Sequence, residues 1–247
     1  MKTDYREYHF TMQEWVLYIA QGILLCVIVN YLFYQNIVFF VFMIPIPLLW
    51  LKWKKRIRIE QRKKELNYQF KDALHSLSVS LRAGYSIENS LVEAERDMRK
   101  LNGNRAEIVR ELAYMNGQIK VSIPVEELLA DLGNRSDLED IRDFASVFGI
   151  ARKTGGNMAA VVSDAAAQIC EKIEVERSID TAVAAKKFEQ MIMLVMPCAI
   201  IFYMQLASPG FLDGLYGNMF GVIFMSFCLC LYGISWWVGR KIVEIEV

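Results

Sequence analysis

Charge is missing from two long stretches of this 247-residue chain. Between Glu14 and Lys52 lie 37 residues without one Asp, Glu, Lys or Arg, and between Glu189 and Arg240 lie 50 residues with only Asp213. A bilayer core disfavours a charged residue by about 2.5–3.5 kcal/mol. Both stretches therefore read as membrane-embedded, and a wholly water-soluble fold is excluded. The 138 residues from Lys52 to Glu189 hold 46 of the 56 charged residues. The layout is membrane, water-exposed body, membrane.

The chemistry of common active sites is missing as well. No G-x-x-x-x-G-K-[ST] loop is present, so the chain does not read as a nucleotide hydrolase. No HExxH or GxSxG occurs. The two histidines are His9 and His75, and a lone His75 on a helix fits a surface or interhelix residue better than a base. The five cysteines make no CxxC and no cluster with histidine, and four of them lie in apolar segments. Disulfide and zinc frameworks are disfavoured on that pattern. Asp72, Asp97, Glu139, Asp140 and Asp143 fit solvated helix faces better than a divalent-ion site. Inside the apolar stretches polar side chains are few, Gln21, Asn30 and a few serines among them, whereas ion-coupled transport ordinarily uses an ionisable group there. No catalytic, cofactor-binding or metal residue is nominated, and the chain reads as a non-enzyme without a cofactor.

What is present organises those stretches. Trp15 to Tyr34 is one helical span. Gln35-Asn36 is a polar notch, and Ile37 to Leu51, with Pro45 and Pro47, is a shorter second arm. One unbroken helix over all 37 residues would be roughly 55 Å long, well beyond the hydrocarbon thickness, so a helical hairpin is expected. Phe188 to Leu206 is the third span, with Pro197 expected to kink it. Ala207 to Asn218 is a turn-rich loop, and Met219 to Val238 is the fourth span. Trp50, Trp53, Trp236 and Trp237 stand where aromatic residues mark membrane surfaces.

Net charge is zero, but its distribution is uneven. Residues 52–64 carry eight Lys/Arg against one Glu, while residues 65–187 carry 16 against 20 Asp/Glu. The basic collar Lys52, Lys54, Lys55, Arg56 and Arg58 reads as a flank against anionic lipid rather than a nucleic-acid face, because no aromatic interleaving or known module accompanies it. Lys186-Lys187 and Arg240-Lys241 are the other basic flanks, and the short turns at 35–36 and 207–218 have none. Four spans place all three flanks on one side, the cytoplasm, with both termini inside.

Residues 66–187 show helical periodicity almost throughout. Phe70, Leu74, Leu77 and Leu81 step by four, three and four. Gly84 then offers a left-handed C-cap and Ser86 an N-cap. Ile87, Leu91, Ala94 and Met98 form the next stripe. Ile108, Leu112, Met115 and Ile119 form a third, with Gly117 near its end. Val125, Leu128, Leu129 and Leu132 form a fourth, ended by Gly133-Asn134. Ser136 and Glu139 are placed as a capping box for a fifth helix that buries Leu138, Ile141, Phe144 or Ala145, and Phe148. Thr154-Gly155-Gly156-Asn157 breaks the chain, and Gly84 and Gly156 are expected at positive φ. A sixth, Ala-rich helix runs from about Met158 towards Lys187 and on into the third span. The expected fold is all-α: an N-terminal tail (1–14), a transmembrane hairpin (15–51), a basic flank (52–65), a bundle of about six helices (66–187), a second hairpin (188–238) and a C-terminal tail (239–247).

Two stretches carry a resemblance. Residues 70–91, with Leu81-Arg82-Ala83-Gly84-Tyr85-Ser86, and residues 144–162, with Gly155-Gly156-Asn157 ahead of a long helix, resemble the signature stretches of the type II secretion system F-domain family. Residues 186–197, ending in Pro197, are similar to that family's passage into the membrane. Only one copy of the helical domain is present, so within the family the chain resembles the TadB/TadC branch, the platform proteins of tight-adherence (Flp) pili. The resemblance implies a multi-pass inner-membrane platform that couples a cytoplasmic hexameric ATPase to pilin extraction. It would act with a second platform protein or as a homo-oligomer. A four-span sensor or signalling scaffold is the rival reading; it requires a ligand-sized outer domain, and the outer loops have only a few residues.

Overall fold

The computed structural model describes residues 4–6, 10–34, 45–154, 158–208, 210–211, 214 and 218–245. Among them every regular element is a helix: α1 Met12–Phe33, α2 Pro45–Arg82, α3 Ile87–Asn102, α4 Glu107–Ile119, α5 Val125–Ser136, α6 Glu139–Thr154, α7 Met158–Ala207 and α8 Met219–Ile245. Two compact units are formed. One comprises Met1–His9 and Arg56–Glu176, the other Phe10–Lys55 and Arg177–Val247. The chain passes from one unit to the other inside helices, within α2 and within α7.

The first unit is a helical bundle. Its core joins the apolar stripes of α2 to α7. Phe70, Leu74, Leu77, Leu91, Met98, Ile108, Leu112, Leu129, Ile141, Phe144, Phe148, Val162 and Ile173 are all buried in one cluster. Each stripe is one side of a helix whose other side is charged, so a single amphipathic helix gains little alone and the six are stable together. The ring centroids of Phe70 and Phe144 lie 5.9 Å apart, edge to face. Phe144→Ala would remove about 3–5 kcal/mol of packing in such a core.

Local chemistry explains some helix ends. The Ser86 hydroxyl accepts from the Asn89 amide, capping α3. Two expectations fail, both at the end of α5. The helix does not stop at Gly133-Asn134 but continues to Ser136. A Cβ on Gly133 would lie 3.0 Å from Cγ and 3.2 Å from Cα of Arg142, so this glycine lets α5 and α6 approach closely. The left-handed turn falls instead on Asp137, at φ 56, whose amide donates to the Gly133 carbonyl; a short polar side chain tolerates that conformation. Ser136 is accordingly a buried last-turn residue of α5 whose hydroxyl donates to the Gly133 carbonyl, not half of a capping box with Glu139. By contrast α4 runs to Ile119, as its apolar stripe requires, with Gly117 near its end.

The second unit gathers α1, the start of α2, the later part of α7 and α8. The amide of Thr11 donates to the Glu14 carboxylate at 3.1 Å, so α1 begins at Met12, three residues before the expected Trp15. A Cβ on Gly22 would meet Cα of Pro47 at 3.1 Å, which brings α1 and the first turn of α2 into direct contact. Leu32, Phe33, Tyr34 and Met225 form a small core, and Tyr34 and Ser226 hydroxyls are 2.9 Å apart. Most other large apolar side chains face outwards, including Met193 at 76% and Phe220 at 81% exposure. Exposed apolar surface of that extent marks a contact with lipid or with another protein. Among the described residues three helices are long and apolar enough to cross a membrane: Met12–Phe33, Ala159–Ala207 and Phe220–Gly239. Of the arm expected at 37–51, residues 45–51 open α2 and the rest lies outside the described residues, as do the 35–36 turn and most of the 207–218 loop.

Candidate functional site: paired signature stretches and a basic collar

The two sequence stretches singled out by pattern meet in the bundle. The Phe70–Phe144 contact joins them, and just past the second stretch Ser163 accepts from Arg82 Nε at 2.8 Å, with the Ser78 hydroxyl also 2.8 Å away. Leu81 is buried, while Arg82, Ala83, Gly84, Tyr85 and Ser86 form an exposed turn. The turn closes in a Schellman arrangement: the Tyr85 amide donates to the Ser80 carbonyl at 3.1 Å and the Gly84 amide to Leu81 at 3.0 Å. Gly84 has φ 89, and nothing lies within 4 Å of where its Cβ would be. Its role is conformational rather than steric. Gly84→Ala should therefore lower stability by about 1–2 kcal/mol and Gly84→Val by more, from backbone strain alone. Denaturant midpoints of the detergent-solubilised chain measure this, and an unshifted Gly84→Val midpoint would refute it. Gly155, Gly156 and Asn157, including the expected positive φ at Gly156, lie outside the described residues.

Beneath this surface lies an ionic lattice that the periodicity did not announce. Glu111, with a side chain 6% exposed, accepts from both Nη atoms of Arg135 at 2.9 and 2.7 Å. Arg135 also donates through Nε to Asp131 at 2.9 Å. The Tyr5 hydroxyl donates to Glu111 at 3.0 Å. Hydrogen bonding to Glu111 pushes the Arg135 guanidinium above its ordinary range, and burial followed by the Glu111 and Glu107 carboxylates does the same to the Tyr5 phenol. A second knot joins Asn67 to Asp140 at 2.8 Å and Asp140 to Lys172 at 2.7 Å. Asp140 is thus buried and paired, not part of a solvated face. Asp97, by contrast, stays partly exposed; the Ser76 hydroxyl and then Lys100 hold its carboxyl below the usual range. A signal was available for Glu111: it lies three residues after Ile108 and four before Met115, on the edge of an apolar stripe. Among the described residues no three His, Cys, Asp or Glu side chains gather as a metal site requires.

The basic collar is divided by its partners. Arg62 pairs with Glu107 at 2.6 Å and Lys63 with Asp137 at 2.9 Å, so the later part of the run holds the bundle together. The earlier part is arranged around aromatic rings. Lys54 Nζ lies 5.2 Å from the Trp50 ring centroid, 5.8 Å from Trp53 and 6.0 Å from Tyr18, and Trp53 meets Trp236 edge to face at 6.3 Å. Lys52, Arg56 and Arg58 are exposed and Lys55 is half-buried; Arg56 is bound to Glu60 one turn on. Lys241 Nζ is 5.4 Å from the Trp237 ring, next to Arg240 at the end of α8. Lys186 pairs loosely with Glu189 at 3.1 Å, and Lys187 is exposed. Pro197 lies inside α7, which continues through it.

The family model for the type II secretion system (T2SS), protein F matches residues 73–206. That range begins inside α2, takes in all but the first three residues of the 70–91 stretch, the whole 144–162 stretch and all of α3 to α6, and ends one residue short of the end of α7. No curated protein and no solved structure matches the chain. With more than half of its 247 residues matched, this chain belongs to the type II secretion system protein F family.

Proposed function

We propose that this chain is the inner-membrane platform of a tight-adherence or related type IV-like pilus machine, and that it couples a cytoplasmic hexameric ATPase to the extraction of pilin from the bilayer. Members of the family are non-enzymatic inner-membrane platform proteins that work with secretion or pilus ATPases. The narrower assignment to the TadB/TadC branch rests on the sequence resemblance alone. The observation that carries the coupling is α7: one helix from Met158 to Ala207 holds core residues Val162, Ala166 and Ile173 at one end and an apolar, outward-facing span at the other. At 1.5 Å per residue its 50 residues make a rod of about 75 Å. In this reading the ATPase displaces the bundle, α7 carries the displacement into the span, Pro197 is the bend that loosens the two, and a second platform protein or further copies complete the assembly.

Four spans with both termini in the cytoplasm complete the proposal. Contact between Gly22 and Pro47 supports a hairpin ahead of the collar, and the flanks Lys52, Lys54, Lys55, Arg56, Arg58, Lys186, Lys187, Arg240 and Lys241 supply the inside charge. Reporter fusions test it. Gly103 should report the cytoplasm, and Gln35 and Gly214 the outside. Affinity purification of the tagged chain should bring down the ATPase and pilin. An outside signal at Gly103 would overturn both the orientation and the ATPase contact.

A further inference from the structure

Residues 4–6 precede the first span, and no periodicity assigns them a place, yet they are fixed on the bundle. Tyr5 is 1% exposed. Its ring lies under the Arg62 guanidinium of α2, 4.9 Å from centroid to Cζ. Its hydroxyl donates to Glu111 of α4 at 3.0 Å and lies 3.4 Å from Glu107. Its backbone amide donates to the Arg135 carbonyl of α5 at 3.2 Å. Arg6 continues the contact, donating to the Asn134 carbonyl at 2.9 Å and facing Asp137 at 3.9 Å. Three helices are therefore joined by a segment that belongs to none of them.

We propose that Asp4–Arg6 is a releasable clasp: Tyr5 is its single buried anchor, closing α2, α4 and α5 and restraining the start of α1. Release without unfolding follows from how little holds it. The Arg6 and Asp137 side chains are 58% and 41% exposed, and ion pairs that exposed contribute little. A segment with one buried side chain opens locally, at a free energy far below that of the core. Six residues, and so seven Cα-to-Cα steps, separate Tyr5 from Met12, the first residue of α1. Fully extended they reach about 25 Å, so a closed clasp limits the start of α1 to that distance from Tyr5, and an open one removes the limit. The clasp does not depend on the ATPase reading.

Trypsin cleavage after Arg6 reads the clasp directly in the full chain in lipid nanodiscs, followed by mass spectrometry of the new terminus. Hydrogen exchange of the α2 and α6 core peptides around Leu74 and Phe144 is recorded on the same samples. In the unsubstituted chain the site should be cut slowly. Tyr5→Ala should raise cleavage about tenfold or more, since a buried hydrogen bond to a charged group is lost with the ring, while core exchange stays unchanged. Tyr5→Phe, which keeps the ring under Arg62, should fall between. Equal cleavage in all three chains would overturn the clasp. Tyr5→Ala that unfolds, or that speeds core exchange as much as cleavage, would overturn it too, making Tyr5 an ordinary core residue.

Discussion

A Gly-Ser-Gly-Ser stretch inserted between Lys186 and Lys187 should abolish piliation while leaving membrane insertion and bundle stability intact. The two lysines lie where α7 has left the bundle core, and the helix is continuous on either side of them. Each inserted glycine costs about 1 kcal/mol in helix propensity, and a run of Gly and Ser behaves as a flexible coil. A displacement of the bundle would then be absorbed in the linker and not delivered to the span. A seven-residue Ala-rich insertion is the control. Seven residues return the helix to within about 20° of its original face, and the rod stays stiff. It should retain more activity than the shorter flexible insertion. Counting surface pili by electron microscopy, beside fractionation of the tagged protein, distinguishes these outcomes. Normal piliation with the Gly-Ser insertion would remove α7 as the coupling element; loss with both insertions would point to register or length instead.

Arg135→Ala should have the largest effect on stability of any single change to a polar group in the bundle. It leaves Glu111 charged at a site where its side chain is 6% exposed, with the Tyr5 hydroxyl as a remaining donor. Removing one member of a buried pair costs about 3–5 kcal/mol, a large part of the roughly 5–15 kcal/mol that holds an ordinary domain folded. The pair itself is a different matter. Replacing both partners with apolar residues of similar volume is often neutral, so Glu111→Leu combined with Arg135→Met should recover most of the loss. Denaturant midpoints of the full chain in detergent, for the two single variants and the double, measure the coupling. An Arg135→Ala midpoint near that of the unsubstituted chain would show that water reaches Glu111 and that the lattice contributes little.

Legibility of the chain followed the range of the interactions. The stripes Phe70-Leu74-Leu77-Leu81 and Leu91-Ala94-Met98 are buried as their spacing required, because a helix places residues three and four apart on one face whatever it packs against. The cap at Gly84 was legible for the same reason, since its hydrogen bonds reach no further than Ser80 and Leu81. Gly133 departs from its expected role because a glycine serves two ends, a turn or a close approach, and only the position of Arg142 on the next helix separates them. Ser136 departs with it, because the helix that holds it has not ended there.

By itself, the sequence determined what is local or collective: which stretches shun charge, where each helix turns its apolar side, and the motif pair that marks the family. Tertiary structure alone decided the partnerships. Glu111 and Asp140 differ from their solvated neighbours only because Arg135, Asn67 and Lys172 reach them from other helices. Tyr5 has its place only because Arg62, Glu107 and Glu111 converge on it. Periodicity records which side of a helix is apolar, but a buried charge is stable only through atoms brought to it by folding, and no spacing along the chain encodes their arrival.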